Sequence, residues 1–144
     1  MARGVDLSLG RENLALQAIK VTQLMAPDFV TLSDKASVGE AIQHMAKAHC
    51  AEAHLEDDKG QWVGKLCLYA LVERDGDEAA RAYMEATPLV LQAAQTALAA
   101  QQAMADFIGE AVPVLENGKL IGIIHEADLF AHARMVTHSI WQHD

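Results

Sequence analysis

The chain repeats itself, and this periodicity constrains the fold more than any single motif does. An offset of 59 residues lays Met25 on Met84, Val30-Thr31-Leu32 on Leu89-Val90-Leu91, Ser37 on Thr96, Ala41 on Ala100 and Met45 on Met104. After Asp58-Lys59 one residue drops out, and an offset of 58 then lays Gly60 on Gly118, Trp62-Val63-Gly64 on Leu120-Ile121-Gly122 and Leu71 on Leu129. The chain is two copies of one unit. Between them Arg74-Asp75-Gly76-Asp77-Glu78 is polar and carries a turn dipeptide, the composition of a linker. The expected boundaries are a connector over 1–20, a first unit over 21–73, a linker over 74–82, a second unit over 83–134 and a helical tail over 135–144.

Each copy has the same grammar. A short extended piece (Phe29 to Leu32, Leu89 to Leu91) precedes a stripe at helical spacing: Val38, Ala41, Ile42, Met45 and Ala46 in the first copy, Ala97, Ala100, Met104 and Ala105 in the second. Ser37 and Thr96 stand where N-caps belong. Two strands then follow, Ala53 to Glu56 with Trp62 to Leu66 and Val112 to Leu115 with Leu120 to Ile124, each pair joined by a Gly-containing turn; Asn117-Gly118 is a strong hairpin signal. A second helix closes each copy, from about Leu68 and from about Glu126. The class is α/β, in the segregated α+β sense, with the unit order β-α-β-β-α. One such unit buries too little surface to be comfortably stable, so two are expected to pack through their sheets with pseudo-twofold symmetry. Apolar Val38, Ile42 and Met45 exceed what one copy is expected to cover, which points further to a homodimer.

Composition narrows the function. Twenty acidic against 11 basic residues leave a formal net charge of −9, which repels phosphate backbones and anionic headgroups, and no Lys/Arg cluster relieves it; a nucleic-acid partner is not expected. No apolar run reaches the ~18 residues of a membrane span. Cys50 and Cys67 have no CxxC spacing and no export signal upstream, the pattern of reduced cytoplasmic thiols. No G-x-S-x-G, Walker A or HExxH pattern occurs, and adjacent His49 and Cys50 diverge on a helix, so catalysis has no residue-level support. Among seven histidines, His125 and His132 with Asp128 fall at i, i+7 and i+3 on one helix face, a spacing that could begin a metal site but that ordinary polar faces also produce. Met25, Met45, Met84 and Met104 recur with the repeat and read as fillers of core gaps.

The paired β-α-β-β-α units, the opening Val21-Thr22-Gln23-Leu24-Met25 echoed by Tyr83-Met84, the Pro113-Val114 strand and the run Gly118 to Ile124 leading to Asp128-Leu129 resemble a tandem pair of CBS domains, over roughly Val21 to Ala133. The resemblance implies a non-catalytic regulatory module that binds AMP, ADP or ATP and forms homodimers. The segment Arg3-Gly4 through Gly10-Arg11 to Val21 is similar to the connector between the last membrane helix of CLC chloride channels and transporters and their CBS pair. It implies a soluble regulatory domain on the cytoplasmic side, whose partner is the transmembrane portion of the parent protein. A helix over Leu14 to Leu24 packed on the first copy is the other reading of this segment. The alternative function is a free-standing CBS-pair sensor of a metabolite or metal, or the regulatory domain of another transporter or enzyme.

The family's nucleotide signature is Gly, two apolar residues, a hydroxyl residue, two of any kind and Asp. The hydroxyl caps the helix whose free N–H groups meet phosphate, and the Asp accepts ribose hydroxyls. The second copy reads Gly122-Ile123-Ile124-His125-Glu126-Ala127-Asp128, with Asp128 in place and His125 for the hydroxyl. In the first copy Cys67 and Ala70 replace both groups, so that half-site is expected to be empty. By the resemblance, Thr87, Pro88 and Leu89 with Ala111 and Val112 frame the base, Asp128 holds the ribose and His125 lies near the phosphates. The missing hydroxyl and the negative charge make the expected affinity weak. A protonating His125 would strengthen anion binding as pH falls.

Overall fold

The structure is a computed structural model and describes residues 14–109, 111–127 and 129. In chain order the elements are a 3-10 turn at Val21–Gln23, β1 (Thr31–Ser33), α1 (Val38–Ala48), β2 (Glu52–Glu56), β3 (Trp62–Cys67), α2 (Leu68–Leu71), a 3-10 turn at Ala80–Tyr83, β4 (Leu91–Gln92), α3 (Ala97–Ala103), β5 (Ala111–Glu116) and β6 (Lys119–His125). Residues 14–18 are also helical. They form two three-stranded sheets, β1-β2-β3 and β4-β5-β6. In the first, β1 runs parallel to β2 (Leu32 opposite Leu55) and β3 antiparallel to it (His54 opposite Lys65). In the second, β4 runs parallel to β5, with Leu91 opposite Val114. The matched register, Leu32–Leu55 and Leu91–Val114, is the repeat expressed in space.

Local chemistry accounts for the element ends. Ser37 Oγ accepts from Glu40 N at 3.1 Å while Glu40 Oε1 accepts from Ser37 N at 3.3 Å, a reciprocal box that satisfies free donors at the start of α1. Thr96 Oγ1 accepts from Ala99 N at 3.2 Å and starts α3. The second hairpin turns on Asn117 (φ 53°) and Gly118 (φ 81°), the left-handed pair that a two-residue turn requires. The first hairpin is longer and bulged at Leu55/Glu56, with Asp57 Oδ1 accepting from Lys59 N and Gln61 N. The dropped residue in the repeat is thus a difference in loop construction. The opening strands are shorter than the sequence predicts: before Thr31, Val30 contributes one carbonyl to His54 N at 2.8 Å.

The described residues divide into two compact units, and neither is a continuous stretch. One holds Pro27–Pro88 with Asn117–Ile121; the other holds the residues up to Ala26, Leu89–Glu116 and those from Gly122 onward. Each unit is completed by the segment that precedes the opposite copy. Residues 19–26 sit on the second copy's elements: Ala97 N donates to Ile19 O (2.7 Å), Val21 N to Gln95 O (3.0 Å) and Ala26 N to Ile123 O (2.7 Å). Residues 78–85 sit on the first copy's elements through the matched bonds, Val38 N to Glu78 O (2.8 Å), Ala80 N to Ala36 O (3.0 Å) and Glu85 N to Lys65 O (3.0 Å). The helix expected over Leu14 to Leu24 is thus residues 14–18 plus the turn at Val21–Gln23, and it belongs to the unit of the second copy, not the first. Ala15, Leu16, Ile19 and Val21 are buried there.

In the first unit α1 packs Val38, Ala41 and Met45, all without exposed surface, against Ala53, Leu55, Leu66 and Leu71. Ile42 is half-buried against the same cluster. This corrects the argument for association drawn from Val38, Ile42 and Met45: one unit covers Val38 and Met45 fully and Ile42 in part, with the segment 78–85 adding Ala80, Tyr83 and Met84 to the cluster. Among the described residues no helix is long and apolar enough to cross a membrane.

Candidate functional site

Four of the expected nucleotide residues come together at one end of the second sheet. Ala111 and Val112 open β5 and are buried. Leu89 is half-buried and runs into β4 beside them, two residues before Leu91 in the parallel register. After the tight Asn117-Gly118 turn, β6 returns along β5, so half-buried His125 ends where Ala111 begins. Thr87 is exposed and Pro88 half-buried, and both are counted with the unit of the first copy. Asp128, the expected ribose acceptor, lies outside the described residues, as do His132 and the expected tail 135–144. Among the described residues no group of three His, Cys, Asp or Glu is placed to hold a metal ion.

The matched end of the first sheet has different chemistry. Glu52 lies opposite Cys67 in the register, and Cys67 and Cys50 are half-buried free thiols. Lys65, 2% exposed, places Nζ 2.9 Å from Glu52 Oε2 and 3.9 Å from Glu85 Oε1. Across the strand pair His54 is equally buried; its Nδ1 accepts from Trp62 Nε1 at 3.2 Å, which puts the proton of the neutral ring on Nε2. The Phe29 ring meets His54 edge-on at 6.3 Å. Burial, and then the neighbouring Lys65 charge, lower the His54 pKa to about 4, so the ring is neutral at physiological pH. The sequence reading missed this cluster. Its signal was available in the repeat, since Glu52, His54, Lys65 and Glu85 stand opposite Ala111, Pro113, Ile123 and Ala26.

Two open depressions lie on the first unit, and none of the residues named for the expected nucleotide site lines either. One, of about 270 Å³, is lined by Thr31, Leu32, Ser33, Glu56, Asp57 and Asp58, a carboxylate-rich rim unsuited to an anion. The other, of about 500 Å³, lies along Tyr69, Ala70, Val72, Glu73 and Arg74. Its Arg74 is engaged over the Tyr83 ring at 4.8 Å.

With this geometry in place, known proteins can be compared. A family model described as CBS domain matches residues 80–134. No curated protein matches the chain significantly. Among solved structures, a CBS domain pair/ACT domain protein from Thermotoga maritima has a TM-score of 0.72 at 18% identity, over 81% of this chain and 98% of that one. CBSX2 in complex with AMP has a TM-score of 0.70 at 20% identity, covering 82% of this chain and 98% of that one. The cytosolic domain of the Mg2+ channel MgtE in complex with ATP has a TM-score of 0.73 at 20% identity over 84% of this chain, which spans about half (51%) of that one. The chain thus has the fold of a CBS-domain pair, and its residues 80–134 match the CBS domain in sequence.

Proposed function

We propose that the chain is a non-catalytic regulatory module whose second copy binds an adenosine nucleotide weakly. The observation that carries this reading is the convergence of Leu89, Ala111, Val112 and His125 at one end of the second sheet, within the stretch that matches the CBS domain. In this reading buried Ala111 and Val112, with Leu89 and the preceding Thr87 and Pro88, frame the base through backbone groups. Asp128 holds the ribose and His125 lies near the phosphates. The AMP and ATP complexes of proteins with this fold support the ligand class. The first copy, with Cys67 and Ala70 at the matched positions, binds none.

Attachment to a transmembrane portion on the cytoplasmic side is the corresponding architectural reading. It is supported by the fold shared with the cytosolic domain of an ion channel. That the parent is a CLC-type chloride channel or transporter rests on the resemblance of residues 3–21 alone, and homodimerisation rests on the family resemblance.

Calorimetric titration with AMP, ADP and ATP tests the nucleotide reading. Weak saturable binding of one nucleotide per chain is expected, lost in Asp128→Ala and unchanged in Tyr69→Ala. Equal losses in both variants, or no binding of any of the three at millimolar concentration, would overturn it.

A further inference from the structure

The two copies hold their exchanged segments with the same backbone bonds but with different side chains. Ala26 N donates to Ile123 O in one unit, and Glu85 N donates to Lys65 O at the matched place in the other. In the repeat, Glu52, His54 and Lys65 of the first copy are matched by Ala111, Pro113 and Ile123 of the second. A second ionic contact ties the same segment down, Arg81 Nη1 to Asp34 Oδ2 at 3.7 Å, and its matched residues are uncharged Thr22 and Ala93. The fold therefore does not require these charges, since the second unit makes the same joint without them.

A buried ion pair gives little or no net stability over apolar residues of similar volume, yet losing one partner is costly because the other charge stays buried. Lys65 lies opposite His54 on the sheet and the uncharged Trp62 and Phe29 rings contact it, while Glu52 on the sheet and Glu85 on the docked segment face Lys65. Acid adds positive charge to this cluster and nothing in it offsets the gain. A proton on His54 adds a second cation beside Lys65, while Lys65 is balanced by the Glu52 and Glu85 carboxylates and Arg81 by that of Asp34.

We propose that these residues form an acid-released clasp, which holds residues 78–85 on the first sheet at neutral pH and loosens them in acid, while the matched segment 19–26 stays docked on the second sheet. The clasp is independent of nucleotide binding.

Amide hydrogen exchange of the intact chain, expressed as protection relative to the unstructured rate at each pH, reads both joints at once. The amides of Val38, Ala80 and Glu85 report the first joint, and those of Ala97, Val21 and Ala26 the second. From pH 7 to pH 3.5, below the His54 pKa of about 4, the first set is expected to lose protection about tenfold more than the second. In Lys65→Met, which makes the first joint resemble the second except for the Arg81–Asp34 contact, the difference should shrink markedly. Parallel loss in both sets, or a difference undiminished in Lys65→Met, overturns the proposal. Should that variant not fold, Glu85→Gln at pH 7 serves instead: selective loss at the first set supports the clasp, and wild-type protection refutes it.

Discussion

Replacing His54 by Asn should remove a defined part of the protein's acid sensitivity. In the folded chain the buried ring, beside Lys65, has its pKa lowered from 6.5 to about 4. Between these values the unfolded chain binds a proton that the folded chain does not, so stability falls as pH falls through this window. The contribution is complete above pH 6.5 and lost below about pH 4. Each unit of difference is worth about 1.4 kcal/mol, so the window spans roughly 3 kcal/mol, a large share of an ordinary domain's stability of about 5–15 kcal/mol. Asn is the informative replacement because its Oδ1 can take the place of Nδ1 as acceptor for Trp62 Nε1. Urea unfolding followed by far-UV circular dichroism, at steps between pH 7.5 and 4, gives the slope for both proteins. The variant pays a pH-independent cost for lost packing, but its stability should fall less steeply across the window. Identical slopes would refute the assignment of a neutral, buried His54.

Two further substitution pairs separate competing effects. Glu52→Gln leaves Lys65 (2% exposed) buried with Glu85 at 3.9 Å, and should cost about 3 kcal/mol, whereas Lys65→Met strands Glu52, which reaches solvent more (13% exposed), and should cost less in chemical denaturation; the reverse order would sink the view of Lys65 as a compensated buried cation. Gly122→Ala should lower the melting temperature more than Gly64→Ala. A Cβ on Gly122 would lie 2.5, 2.7 and 2.9 Å from Met25 Sδ, Cγ and Cβ, close to the chain itself, while on Gly64 the severe clash is with the movable sulfur of Met84, its Cγ and Cε lying at 3.3 Å. Overpacking of this kind costs about 1–3 kcal/mol, and a larger loss at Gly64 would show that the thioether cannot move aside.

These glycine sites also show what repetition alone could not explain. Met25 and Met84 recur at the offset of 59, yet both are half-buried, whereas Met45 and Met104 lie in the core. What Met25 and Met84 cover, a glycine on the third strand of the opposite copy, follows from the exchange of segments and leaves no periodic trace. Likewise residues 74–82 have a linker's composition, yet Gly76 O and Glu78 O accept from Gly39 N and Val38 N at the start of α1. Polar composition reports that side chains face water, and backbone bonding is free to differ.

By itself the sequence determined what depends on near neighbours. The repeat, the strand-helix-strand-strand order, the Ser37 and Thr96 caps and the Asn117-Gly118 turn all follow from spacing and from side chains that bond within a few residues of themselves. Of the candidate nucleotide residues, His125 and Asp128 were read from a motif and the rest from a family resemblance, and the sheet register brings Leu89, Ala111, Val112 and His125 to one end. Only the tertiary structure decided which copy each leading segment completes, because Ile19–Ala97 and Glu78–Val38 are bonds between distant residues for which either copy offers the same backbone groups. It also decided that Lys65, an ordinary surface residue by type, is buried between two carboxylates and beside a neutral histidine. Burial and pKa depend on what the folded chain places on every side of a group, and a pattern along the chain records at most two of those sides.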